Sequence, residues 1–254
     1  MKLSLTGLVI GLCLTLFASC SEDAMETDIQ NEGENTANEP VESNDDTVPD
    51  PGATVTLTAS ASILTNNGEG VQQWVDGVSL RALNIDGSEG RLVFDTEFRD
   101  HGFGVGGARW QQIDYYVMYQ GQEVNASEKI EIFFDSPVQN VVLTVGMMGA
   151  NEGHQDGETG KWTAFDSNGA KVGEGVLGAN DSMLGREVKS VENSYGTYPI
   201  ALSIGDPVNR LQIEATGFGY GEGEPKNVNS YDNDSGNKEN NSDFNLVAIR
   251  FEYR

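Results

Sequence analysis

From Ala53 onward the apolar positions recur with a period of two. Val55, Leu57, Ala59, Ala61 and Ile63 alternate with Thr56, Thr58, Ser60 and Ser62. Ile130, Ile132 and Phe134 alternate with Glu131 and Phe133, and Leu211, Ile213 and Ala215 with Gln212 and Glu214. Val247, Ile249, Phe251 and Tyr253 alternate with Ala248, Arg250 and Glu252. Such alternation predicts strands with one buried and one wet face. Further strands are expected at Val78–Leu83, Arg91–Asp95, Ile113–Tyr119, Val141–Val145, Lys161–Asp166, Lys171–Leu177 and Ile200–Ile204. Turn-forming clusters separate them at Asn84–Gly90, Gly102–Gly107, Asp166–Gly169 and Gly217–Gly223. Asp166-Ser-Asn-Gly169 between two strands reads as a hairpin. No stretch of a dozen residues carries a 3.6 period. About eleven strands without helices predict an all-β jelly-roll sandwich. The absence of an internal repeat argues against a propeller or solenoid.

The pattern is different before Ala53. Residues 21–52 hold 11 acids, no Lys or Arg, three Pro and almost no bulky apolar side chain. Such a segment cannot bury enough surface to offset its ordering entropy, and like charges extend it. Residues 20–52 are therefore expected to form an acidic tether, and residues 53–254 the folded domain. Before the tether stands MKLSLTGLVIGLCLTLFASC, with one basic residue and an apolar run from Leu3 to Phe17. That run is short for a membrane span, which takes about 20 residues, and no basic flank follows it. Residues 1–19 read as a signal peptide. Leu16-Phe17-Ala18-Ser19-Cys20 resembles the lipobox of bacterial lipoproteins, with Phe17 where Leu is commoner. The resemblance implies a lipidated Cys20, attachment to a membrane through N-terminal lipid only, and an outer-membrane location because Ser21 follows the Cys. The periplasmic and extracellular faces both stay open.

Charge narrows the partners. The chain has 40 acids and 15 bases, a formal charge of −25. Without Lys2 and the tether acids, 29 acids face 14 bases. A protein this acidic is not built to neutralise phosphates, which argues against nucleic acid and bare anionic lipid as partners. Cys13 and Cys20 are the only cysteines, so the folded part has no disulfide, thiolate metal site or Cys nucleophile.

Catalytic signatures are weak. Only His101 and His154 are present, with no G-x-S-x-G elbow and no H-E-x-x-H. Gly102-Phe-Gly-Val-Gly-Gly107 has the spacing of a dinucleotide loop but leads into another strand, so it reads as a tight glycine loop. Calcium fits better, because Ca²⁺ takes six to eight oxygen ligands. Residues 151–160 carry Glu152, Asp156 and Glu158 between glycines. Residues 229–237 supply Asp232 and Asp234, with Asp243 close behind. The bland alternative is two solvated loops, since Asn, Asp and Gly are turn residues in any case. Sugar sites join aromatic faces to carboxylates and amides. Of the available aromatics, Trp74, Trp162, Tyr115 and Tyr116 are expected in packing roles, while Trp110, Tyr220 and Tyr231 are the candidates for ligand contact. The last two belong to the excursion 217–242, which lacks any apolar period.

Several motifs together resemble a domain of large calcium-rich bacterial surface adhesins. They are the glycine loop followed by Gln112-Ile-Asp-Tyr115, Phe134-x-x-Pro-Val138, Glu158–Gly169 with its Trp162, and Asp243-Phe-Asn-Leu-Val-Ala-Ile-Arg-Phe251. The closing strand also resembles that of calcium-dependent carbohydrate-binding jelly rolls. The resemblance supports the fold and points to no particular ligand; the acidic loops and candidate aromatics make a non-catalytic module that binds a glycan, with Ca²⁺ ordering its loops, the leading expectation. Two alternatives remain: a structural or adhesion module with a cell-envelope protein partner, and a polysaccharide lyase or glycoside hydrolase.

Overall fold

A computed structural model describes residues 50–96, 101–107, 111–149, 158–178, 195–217, 231–232 and 238–254. All of them belong to the unit Asp46–Arg254. The signal, Cys20 and nearly all of the tether lie outside the described residues.

The described chain is all-β, with fourteen strands and two single 3₁₀ turns. They are β1 (Thr54–Thr58), β2 (Gln72–Val75), β3 (Val78–Leu83), β4 (Arg91–Asp95), β5 (Gly102–Gly106), β6 (Ile113–Tyr119), β7 (Gln122–Ser127), β8 (Lys129–Gly149), β9 (Thr159–Phe165), β10 (Lys171–Gly178), β11 (Tyr195–Ala201), β12 (Val208–Thr216), β13 (Tyr231–Asp232) and β14 (Lys238–Tyr253). Every pairing between these strands is antiparallel. No helix among the described residues is long and apolar enough to cross a membrane.

Two long strands turn this ladder into a sandwich. A straight strand of β8's 21 residues would span about 70 Å, far beyond a sheet of ordinary size. It bends instead. Lys129–Phe134 pairs with β3 and β12, whereas Val138–Gly149 pairs with β14 and β11. The register breaks between these halves, where Pro137 cannot donate to a ladder and Asn140 stands at φ 51°. One layer is therefore β2-β3-β8-β12-β9-β10, and the other joins β11, the second half of β8, β14, β1 and the β5–β4 pair. The N-terminal part of β14 leaves that layer to pair with β6. Leu80, Ile130, Ile132, Leu211 and Ile213 from the first layer share one core with Leu143, Val145, Phe103, Ile249 and Phe251 from the second. Phe134 and Phe251 meet edge to face across it at 5.1 Å.

The wet face of the first layer carries an ion triad. Glu131 is buried and accepts hydrogen bonds from Arg81 Nε at 3.0 Å, from Arg81 Nη2, and from Arg210 Nη1 at 2.7 Å. The two guanidinium groups lie over Phe133 and Phe165, the latter at 3.9 Å.

Several expectations change. The strands number fourteen rather than about eleven, because β2, β5, β7 and β13 are added and the stretches at 130–134 and 141–145 are one strand. The first strand stops at Thr58, and Ala61–Ile63 forms a 3₁₀ turn capped by Ser60, whose Oγ accepts from Ser62 N–H at 3.3 Å. Gly102–Gly106 is a strand rather than a tight loop. Its glycines serve close backbone approach: a Cβ on Gly104 would stand 2.0 Å from Gln111 O. The strand expected at Ile200–Ile204 ends at Ala201. The excursion 217–242 contains β13 and the start of β14, held by backbone pairing that side-chain period does not encode. The Asp166–Gly169 hairpin stands as expected, with Gly169 at φ 76° and Asp166 Oδ1 accepting from Asn168 and Ala170 N–H at 2.9 and 2.8 Å.

Candidate functional site

The β6–β7 hairpin borders a concave stretch of the described surface. Tyr119 pairs with Gln122, leaving Gln120 and Gly121 as a two-residue turn at φ 51° and 77°. Two-residue hairpin turns of this hand need positive φ at both positions, which Gly121 takes freely and Gln120 does not. Tyr116 pairs with Ala126 but Met118 pairs with Glu123, so β7 carries one extra residue. Asn125 sits in that bulge at φ 45°. A bulge re-aims neighbouring side chains, here along the flank of the hairpin.

Two adjoining pockets follow that flank and share Ile85 and Ala126. One, of about 360 Å³, is lined by Tyr115, Asn125, Ser127, Lys129, Lys161, Glu214, Ala215, Thr216 and Gly217. The other, of about 420 Å³, is lined by Asn84, Asp86, Tyr119, Gln120, Gln122 and Val124. These volumes fall in the range of small-ligand sites. Burial raises the Tyr115 hydroxyl above its usual 10.0, so it stays a neutral donor at physiological pH. Lys129 pairs with Glu214, its register partner, at 2.9 Å, and Lys161 reaches diagonally to Glu174, two residues along β10 from its register partner Val176, at 3.3 Å. Asp86 caps its own turn by accepting from Ser88 N–H at 2.8 Å, and hydrogen bonds from Ser88 hold its carboxyl below 3.8.

A second polar cluster lies where β14 crosses to β6. Glu158, fully buried, accepts from Asp243 N–H at 3.3 Å. Asp243 stands opposite Asp114, whose N–H donates to Glu128 Oε2 at 3.3 Å. Nearby on β14, Asn245 Nδ2 donates to buried Asp95 at 3.1 Å. Asn245 Oδ1 and Gln112 Nε2 are buried without a hydrogen-bond partner among the described residues. No group of three or more His, Cys, Asp or Glu among the described residues is placed to hold a metal ion.

The structure thus brings together Glu158 and Asp243, drawn from the two acidic segments. Glu152, Asp156 and Asp234 lie outside the described residues, as do Trp110 and Tyr220. Tyr231 and Asp232 form β13, paired with Glu239 and Lys238. Trp74, Trp162 and Tyr116 are core residues, as expected. Tyr115 packs against the core, as expected, and being half-buried also lines the groove. Tyr119, Gln120, Asn125, Lys129, Lys161 and Glu214 escape sequence reasoning because they converge from separate strands. The one local signal is Tyr119-Gln-Gly-Gln122, a short turn inside a polar stretch.

The sequence matches no protein-family model and no curated protein. Among solved structures, the chain is similar to the cleaved K1 adhesin domain of Lys-gingipain from Porphyromonas gingivalis, at a TM-score of 0.28 and 9% identity, over 80% of this chain and 96% of that one. A likeness at that score adds no argument to the all-β fold seen directly.

Proposed function

We propose that this chain is an outer-membrane or cell-surface lipoprotein whose β-sandwich binds a glycan without chemistry, in the groove beside the β6–β7 hairpin. The observation that carries the reading is the lining of that groove. Tyr115 and Tyr119 offer ring surface, while Asn84, Gln122 and Asn125 offer amides. Rings that cover sugar C–H faces, joined to amides that exchange hydrogen bonds with hydroxyls, form the usual chemistry of carbohydrate recognition. Gly217, where the excursion 217–242 begins, lies on the groove wall; Tyr220 and Tyr231 stay in the proposal as ligand contacts.

Ca²⁺ belongs to the same proposal. The Asp243 N–H that donates to Glu158 joins the two acidic segments at one point, and in the proposal the ion's oxygens come from Glu152, Asp156, Glu158, Asp232, Asp234 and Asp243. Bound Ca²⁺ stabilises by mass action, about 2.7 kcal/mol at a hundredfold excess over its dissociation constant. The full chain is expected to melt several degrees higher in millimolar CaCl₂ than in EDTA, and a flat response removes the ion from the proposal. Glycan binding is tested by affinity electrophoresis of the full chain in a panel of polysaccharides. Tyr115→Ala with Tyr119→Ala is expected to abolish retardation with unchanged circular dichroism. Undiminished retardation in that double variant moves the site elsewhere.

A further inference from the structure

We infer that the groove selects uncharged sugars over uronate or sulfated ones. The inference rests on the glycan reading above and concerns the charge of its ligand. Four ionisable side chains other than tyrosine line the two pockets: Lys129, Lys161, Glu214 and Asp86. Their formal charges cancel.

Neither lysine is a spare cation. Lys129 is held by Glu214 at 2.9 Å, and their side chains are 31% and 19% exposed. Lys161 is held by Glu174, which also binds Lys171 at 2.8 Å. An anionic group that draws on Lys129 comes to rest beside the Glu214 carboxylate, and the two negative charges repel across a partly desolvated site. Asp86 adds a further repulsive charge at the other end of the groove, fixed as a carboxylate by its turn. Within about 8 Å of the surface, the screening distance in physiological salt, the excess of 29 acids over 14 bases after residue 52 also disfavours approach of a polyanion.

An uncharged sugar meets none of these penalties. Its hydroxyls donate to the free lone pairs of Glu214 and to the carbonyls of Asn125 and Gln122, and accept from amide N–H groups and from Lys129 without displacing its partner.

The test is calorimetric titration of the full chain with four probes: a neutral gluco-oligosaccharide mixture, an oligouronate, a sulfated oligosaccharide and a chitosan oligomer. Each is measured at 20 and 500 mM NaCl. The expected result is binding of the neutral probe, changed less than threefold by salt and weakened more than tenfold in Tyr115→Ala. The variant Glu214→Gln leaves Lys129 without its carboxylate partner, and oligouronate affinity should rise more than fivefold; no rise overturns the pair's part in excluding anions. Preferred binding of the oligouronate or sulfated probe, weakened more than tenfold by salt and by Lys129→Met, overturns the neutral preference while leaving a glycan site. Preferred binding of chitosan likewise overturns it, assigning selection to the acidic field. Binding of none of the four overturns the glycan reading and the preference together.

Discussion

Replacement of Glu131 by Gln exposes how the sandwich seals its outer face. The carboxylate is buried, yet its two partners reach it from strands on either side, Arg81 on β3 and Arg210 on β12. Gln keeps the shape and one carbonyl acceptor. It also presents an NH₂ to a guanidinium, where donor faces donor. Three charge-assisted hydrogen bonds are weakened or lost, each worth about 1.5–3 kcal/mol in the general case. The arginine side chains are 37% and 29% exposed, so water recovers part of that loss. The net expectation is about 2–3 kcal/mol. For a folded unit of this size, 1 kcal/mol moves the melting temperature by about 2–4 °C, so Glu131→Gln should melt roughly 5–10 °C lower. Arg81→Gln and Arg210→Gln are each expected to lose less, because Glu131 keeps the other arginine. A double-mutant cycle should show coupling above about 0.5 kcal/mol. Calorimetry of the parent, Glu131→Gln, the two arginine variants and their double variant decides it. Melting of Glu131→Gln within 2 °C of the parent, or additive arginine variants, refutes the reasoning and makes the triad equivalent to solvated charge.

Three further outcomes follow from single residues. Gly175 on β10 lies under the Trp162 indole, and a Cβ there would stand 2.6 Å from Nε1; Gly175→Ala should destabilise by about 1–3 kcal/mol through overpacking, read by denaturant titration, and Gly169→Ala in the open turn should act through φ alone. Gln120→Gly relieves a left-handed turn residue and should raise stability by about 0.5–1 kcal/mol, read as a higher denaturation midpoint. Asp166, with its carboxyl held below 3.8 chiefly by the Ala170 N–H, contributes stability that is present above its unfolded value of about 3.9 and is lost as pH falls through the folded one; Asp166→Ala should flatten the acid limb of the stability curve below about pH 4, and an unchanged limb would assign acid unfolding to other carboxylates.

The period-two alternation by itself determined that this is an all-β protein. Burial of one face is a local property, written at residues such as Ile130, Ile132, Leu211 and Ile213. The hairpin at Asp166–Gly169 was equally legible, because Asp and Gly carry the turn chemistry in their own side chain and backbone. The glycines of β5 were misleading for a physical reason. Gly in a turn and Gly at a close backbone approach look the same in sequence, and only the neighbour at Gly104 distinguishes them. The start of β14 was hidden because its partner β6 supplies a backbone edge, which pairs with any side chains. The meeting of Glu158 with Asp243 needed the start of β9 to reach β14, a strand it does not pair with, across 85 residues of chain. The groove required most from tertiary structure. Tyr115, Lys129, Lys161 and Glu214 sit on four strands, and their registry follows from how β6, β8, β9 and β12 pair, which no local pattern specifies.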